Sequence, residues 1–157
     1  MSEPAIIAEL RASQPRRIFG TTMLTALAVL LMWLAATAPA GIGARLALLI
    51  CAVLAAYGAL AMWRATAHVL FLTEAGLVQS DGRVLAMMEE IEHVDRGLFA
   101  VKPSNGFVVR LARSRPFAWA PGLWWRWGRR LGVGGMTGAG QTKAMADLLA
   151  LQRDKVH

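Results

Sequence analysis

Apolar residues run unbroken over two stretches of this chain, then break into short groups separated by turn residues. From Ile18 to Ala38 there are 21 residues without a charge. At about 1.5 Å per residue, a helix of that length covers about 31 Å, the thickness of a bilayer's hydrocarbon core. Leu46 to Trp63 is a second charge-free run, bounded by Arg45 and Arg64, and its 18 residues give about 27 Å, enough to span with less margin. Between them Pro39, Ala40, Gly41, Ile42, Gly43 and Ala44 leave room only for a tight reversal, so the helices are expected to run antiparallel. A cleaved signal peptide is a competing reading, since Arg16 and Arg17 precede an apolar stretch ending near Ala36, Thr37 and Ala38. That run is longer than the usual signal core, and a second span follows at once. A buried soluble hairpin is another, but it would need a polar face that neither run has.

Before the first run, residues 1–17 read as a short surface segment in which Ser2 caps a turn carrying Pro4, and Ile6, Ile7 and Leu10 line one face. After the second run, from about His68, the period becomes that of strands. His68 to Thr73, Leu77 to Ser80 and Arg83 to Met88 predict three short strands, with Asp81 and Gly82 as a tight turn between the last two. An acidic stretch follows, Glu89, Glu90, Glu92 and Asp95, around Ile91 and Val94. Leu98 to Val101 predicts another strand, and Pro103, Ser104, Asn105 and Gly106 form a turn. Phe107, Val109 and Leu111 then alternate with Val108, Arg110 and Ala112, the clearest half-buried strand in the chain. Residues 141–152 change to a helical repeat, with Met145, Leu148, Leu149 and Gln152 on one stripe flanked by Ala144 and Leu151. The pattern predicts an α+β chain with three parts: a segment over 1–17, a helical hairpin over 18–66 with spans at 18–38 and 46–63, and a β-rich domain over 67–157.

Composition strengthens the membrane reading. Of 157 residues, 56% are hydrophobic and 17% charged, and the mean hydropathy is +0.45, above the soluble average. The 17 Lys and Arg exceed the 10 Asp and Glu, giving a net charge of +7 that favours anionic partners. Basic residues also set an orientation. Arg11, Arg16 and Arg17 precede the first span, Arg64 follows the second, and only Arg45 lies in the turn. The positive-inside rule then places both termini in the cytoplasm. In the second span Ala47, Cys51, Ala55 and Ala59 recur every four residues, a stripe of small side chains that another helix could approach closely, either the first span or a partner's helix. Cys51 is the single cysteine, so no intramolecular disulfide or cysteine-rich metal site can form.

Two apolar spans followed by short antiparallel strands and a terminal helix resemble the bacterial pleckstrin-homology-like membrane proteins. The stretch LTEAGLVQSDGRV, Leu72 to Val84, looks like the first hairpins of that domain. The resemblance implies a curved antiparallel sheet capped by a C-terminal helix, serving binding or assembly rather than catalysis.

Charge is concentrated where that domain turns aromatic. From Gly97 to Ala146, fifty residues contain no Asp or Glu but eight positive charges: Lys102, Arg110, Arg113, Arg115, Arg126, Arg129, Arg130 and Lys143. Phe117, Trp119, Leu123, Trp124, Trp125 and Trp127 interleave with Arg126, Arg129 and Arg130. Tryptophan favours the headgroup region, and each Lys or Arg beside an anionic surface contributes about 1 kcal/mol. The segment is therefore expected to touch the leaflet or a partner, although the same tryptophans could instead fill the domain core. Stacking on nucleic-acid bases is a weaker option that nothing else in the chain supports.

Signals for chemistry are poor. Gly135, Met136, Thr137, Gly138, Ala139, Gly140, Gln141 and Thr142 nearly spell a phosphate-binding loop, but Gln141 stands where that loop needs lysine. His68, His93 and His157 are too far apart in sequence to form a metal motif. Neither span carries a residue that would mark an ion path, and no cofactor is expected. The leading expectation is a non-catalytic accessory protein of the bacterial inner membrane, whose cytoplasmic domain binds a membrane-protein complex, anionic lipid headgroups, or both. Two alternatives remain. One is a membrane-bound enzyme combining Glu89, Glu90, Glu92, His93 and Asp95 around a metal. The other is a structural subunit of a respiratory or photosynthetic assembly that uses the small-residue stripe.

Overall fold

A computed structural model describes residues 5–95 and 103–156. The expected strand at Leu98 to Val101, the Ser2 and Pro4 turn, Lys102 and His157 lie outside the described residues. The two apolar runs form helices α1 (Gln14–Thr37) and α2 (Ile42–Ala65), each of 24 residues and each long and apolar enough to cross a membrane. Both begin four residues ahead of the charge-free runs, because Arg16, Arg17 and Arg45 are themselves good helix formers. Pro15 sits in the first turn of α1, where its missing N–H costs nothing. The reversal is closed by the Arg45 guanidinium donating to the Ala38 carbonyl at 3.3 Å.

The helices pack along small residues seven apart. Thr21, Ala28 and Ala35 are buried on α1, and Ala52 and Ala59 on α2. The stripe read from sequence falls only partly in this seam. Ala59 lies in the seam and Ala55 beside it, but Ala47 and Cys51 are exposed. The reason is geometric. A row of fourth residues turns about 40° around the helix at each step, whereas a row of sevenths drifts by only about 20°.

Residues Ile6–Arg11 form strand β1, not a helical surface turn. β1 pairs antiparallel with β2 (Val69–Thr73), with Leu10 opposite Leu70 and Arg11 opposite Val69. The chain thus leaves the sheet at Arg11, runs out along α1, returns along α2 and rejoins the sheet beside its point of departure. β3 (Gly76–Gln79) and β4 (Val84–Met87) complete a four-stranded meander in the order β1-β2-β3-β4. The Asp81–Gly82 turn joins them as expected. Gly82 takes a φ of 85°, and the Asp81 carboxylate accepts from the Arg83 N–H at 3.0 Å.

A 3-10 turn at Met88–Glu90 leads into β5 (Ile91–Asp95), so the acidic stretch is a strand whose Ile91 and Val94 face inward. β6 (Phe107–Ala120) continues well past the expected Leu111. β7 (Trp124–Val133) occupies the tryptophan-rich segment, and the three strands form a second antiparallel sheet. Helix α3 (Ala139–Val156) closes the core with Met145, Ala146 and Leu149, while Ala144 and Leu151 face outward. The fold is therefore α+β: two long apolar helices, two antiparallel sheets and a C-terminal helix. A single apolar core joins Leu10 of β1, the leucines of β2 to β4, Phe107 and Val109 of β6, Trp124 of β7 and α3.

A candidate membrane and partner face on the β6–β7 ribbon

Two irregularities shape the ribbon. Between the pairs Arg110 with Arg130 and Arg115 with Gly128, β6 carries three more residues than β7, and a second shift follows before Ala118. Opposite them Gly128 adopts a φ of 57°, a left-handed value that glycine reaches without strain. The ribbon bends so far here that the Trp125 ring lies where a side chain on Gly132 would be. A Cβ at that glycine would come within 2.3 Å of the ring.

The bend sorts the segment's residues into three environments. Trp124 is fully buried, and its Nε1–H donates to Gln79 Oε1 at 2.6 Å. Arg126 is buried as well. Its guanidinium donates to the carbonyls of Leu85 at 3.2 Å and Pro116 at 3.3 Å, which ties the ribbon to the free edge of β4. Burial holds its pKa below the ordinary arginine value, helped by repulsion from Arg115 and Arg83 and opposed by Glu90. Neither residue is placed to meet a membrane or a partner, because each fills a space between the two sheets. Trp125 is half-buried against Gly132.

Trp119, Trp127 and Phe117 point outward, exposed by 62%, 75% and 67%. The rings of Phe117 and Trp127 meet edge to face at 6.4 Å, and Trp119 stands opposite Trp125. Phe117, which the sequence places in the same aromatic segment, shares this face. The ribbon's turn rests on the base of the helical hairpin. Gly122, with a φ of 82°, is so close to Thr66 and Met136 that a Cβ would lie 3.1–3.2 Å from them. Trp119, three residues back along the strand, is therefore within about 10 Å of Gly122 and its contact with Thr66.

Four of the remaining arginines form two groups. Arg115 pairs with Glu90 at 2.6 Å, and Arg129 pairs with Glu92 at 2.8 Å while also donating to the Leu111 carbonyl. Arg110 and Arg130 have no carboxylate partner among the described residues, and they stand directly opposite each other on β6 and β7. His93 of β5 is the next neighbour of Arg110 in the same row. Like charges so placed repel, and an anionic partner over the row would relieve the repulsion.

Where the hairpin meets the domain, Ser13 N–H donates to the Met136 carbonyl at 2.7 Å, and Arg16 donates to the Thr137 carbonyl at 3.0 Å. Arg17 donates to the Trp63 carbonyl at 3.0 Å and stacks over that indole at 3.9 Å. The glycine run that imitates a phosphate loop is part of this junction. Gly135 N–H is held by the Ser104 carbonyl, and the Thr142 hydroxyl is buried against Thr137 Oγ1. Among the described residues, no three His, Cys, Asp or Glu side chains gather where a metal could bind. Glu90 and Glu92, which the enzyme alternative requires, are engaged by arginines.

Comparison of the chain with protein-family models, with curated proteins and with solved structures finds no match.

Proposed function

We propose that the chain is a non-catalytic accessory protein of the bacterial inner membrane. α1 and α2 anchor it, and its pleckstrin-homology-like domain binds anionic headgroups and a membrane-protein partner at the cytoplasmic surface. The observation that carries this reading is the outward trio Phe117, Trp119 and Trp127, on a ribbon whose turn packs against the end of α2. Exposed aromatics of this size suit a headgroup layer or an interface better than bulk water. Support for the pleckstrin-homology-like comparison comes from the four-stranded and three-stranded antiparallel sheets closed by a C-terminal helix. Support for the orientation comes from Arg16, Arg17 and Arg64 at the domain end of the hairpin, against Arg45 alone at the other.

The test uses the full chain reconstituted in nanodiscs of neutral or anionic lipid. Anionic lipid should protect residues 115–130 from hydrogen exchange and shift tryptophan emission to the blue, and Trp119→Ala with Trp127→Ala should remove both effects. Affinity purification in mild detergent should return a reproducible membrane-protein partner that the same double variant recovers poorly. Equal behaviour in both lipids and no reproducible partner would overturn the reading.

A further inference from the structure

On the outer face of the three-stranded sheet, Arg110 of β6 stands directly opposite Arg130 of β7, and His93 of β5 continues the row beyond Arg110. Residues so paired place their Cβ atoms about 5 Å apart. Both arginines are exposed, and among the described residues neither guanidinium has a hydrogen bond or an ion pair. The acids nearest in the sheet are already engaged. Glu92 is held by Arg129 at 2.8 Å, and Asp95, opposite Val108, has an interaction of its own. Two like charges therefore stand side by side with no counter-charge among the described residues, an arrangement that weakens the sheet.

The next row toward the hairpin is apolar. Val108 stands opposite Gly132 and is buried, and the Trp125 ring covers Gly132. Rows on one face are about 6.6 Å apart, so the half-buried indole walls one side of the arginine pair. Further along the chain, Met136 packs against Gly20 of α1 and bonds to the Gly122 carbonyl at the ribbon's turn. Gly20 lies one helical turn past Arg17, whose guanidinium bonds the Trp63 carbonyl. From the hairpin into the sheet, the chain thus presents apolar helix, then indole, then paired guanidinium groups. Hydrocarbon, interface and phosphate follow one another in that order in a leaflet.

We infer that Arg110 and Arg130 together hold the phosphate of one anionic phospholipid, with Trp125 as the wall for its glycerol end and His93 flanking the pair. Two planar guanidinium groups offer N–H donors in a geometry matched to phosphate oxygens, and the bound anion removes the repulsion between them. This site rests on the proposed seat of the domain at the membrane surface, and it gives that surface a defined headgroup chemistry and two named donors.

The test is native mass spectrometry of the full chain, delipidated in mild detergent and titrated with phosphatidylglycerol or phosphatidylcholine. One phosphatidylglycerol should bind in preference to phosphatidylcholine, and Arg110→Gln or Arg130→Gln should each weaken that binding about fivefold. Arg113→Gln, which removes an equal charge from an exposed position on β6 outside the row, should change it little. The two row variants should also raise the melting temperature of the lipid-free chain, because each removes one of two repelling charges. A merely structural arginine would lower it. At fixed ionic strength, excess inorganic phosphate should leave the lipid bound. No loss in the row variants, an equal loss in Arg113→Gln, a lowered melting temperature, or displacement of the lipid by inorganic phosphate would overturn the site. The pattern of loss separates this failure from that of the proposed function. Binding of phosphatidylglycerol that survives the row variants but not Trp119→Ala with Trp127→Ala refutes the site alone, whereas no preference for phosphatidylglycerol in the unaltered chain refutes both.

Discussion

The hairpin and the β-domain are built from the same apolar residue types turned in opposite directions. In the domain Leu70, Leu72, Leu77 and Leu85 are wholly buried, whereas in the hairpin Leu30, Val53 and Leu54 face outward and the buried positions are alanines and a threonine. Burial of large apolar side chains against one another holds the domain together, at about 25 cal/mol per Å² removed from water. In the hairpin the large side chains face outward, and the two helices approach closely along small residues instead. One chain thus carries two opposite patterns of burial, and the junction at Ser13, Arg16, Arg17 and Met136 is where they meet.

The contrast breaks most severely if β1 is removed. Deleting residues 1–11 leaves the β2 edge unpaired and takes Leu10 from the core, so the loss should exceed the ~2–5 kcal/mol of a single buried truncation. Limited proteolysis should then cleave within 69–87 while the helices stay intact. A finer test compares two leucines. Leu72→Ala should cost the domain about 2–5 kcal/mol, and Leu30→Ala about 0.5 kcal/mol or less, read by denaturant unfolding in detergent. A charge reverses the comparison. Leu54→Lys alters nothing in the domain core, but should cost about 2.5–3.5 kcal/mol of membrane insertion, read as the fraction of chain in the membrane pellet. Smallest are the ion pairs. Glu90→Gln, whose pair with Arg115 is only 26% and 19% exposed, should cost about 1–2 kcal/mol. Glu92→Gln, in a pair 48% and 44% exposed, should cost less than about 0.5 kcal/mol after solvent screening.

The legible parts of the sequence were those whose cause is local. Both helices, the Asp81–Gly82 and Pro103–Gly106 turns, strands β2 to β4, the first half of β6 and the core stripe of α3 follow from period and turn chemistry within a few residues. β1 did not show itself, because six residues, IIAELR, suit a strand only when β2 arrives 58 positions later to pair with them. β7 was hidden for another reason. The bend at Gly128 breaks the two-residue alternation, and Arg126 points inward where a polar residue reads as surface. That inward arginine also explains why the candidate face was only half visible. Composition located the aromatic and basic segment, but not that Trp124 and Arg126 serve the core while Phe117 joins Trp119 and Trp127 outside.

Pairing β1 with β2 across the hairpin also bears on biogenesis. β1 precedes both helices in the chain and has no β2 to pair with until they have been made. In a hairpin inserted as proposed, that sheet can close only if the two strands finish on the same side. A chain with one span left outside the bilayer, or threaded once instead of twice, strands β1 away from its partner and leaves the β2 edge open to proteases. If the hairpin inserts as proposed, closure of the β1–β2 pair would report correct threading, and an open β2 edge would mark a misthreaded copy.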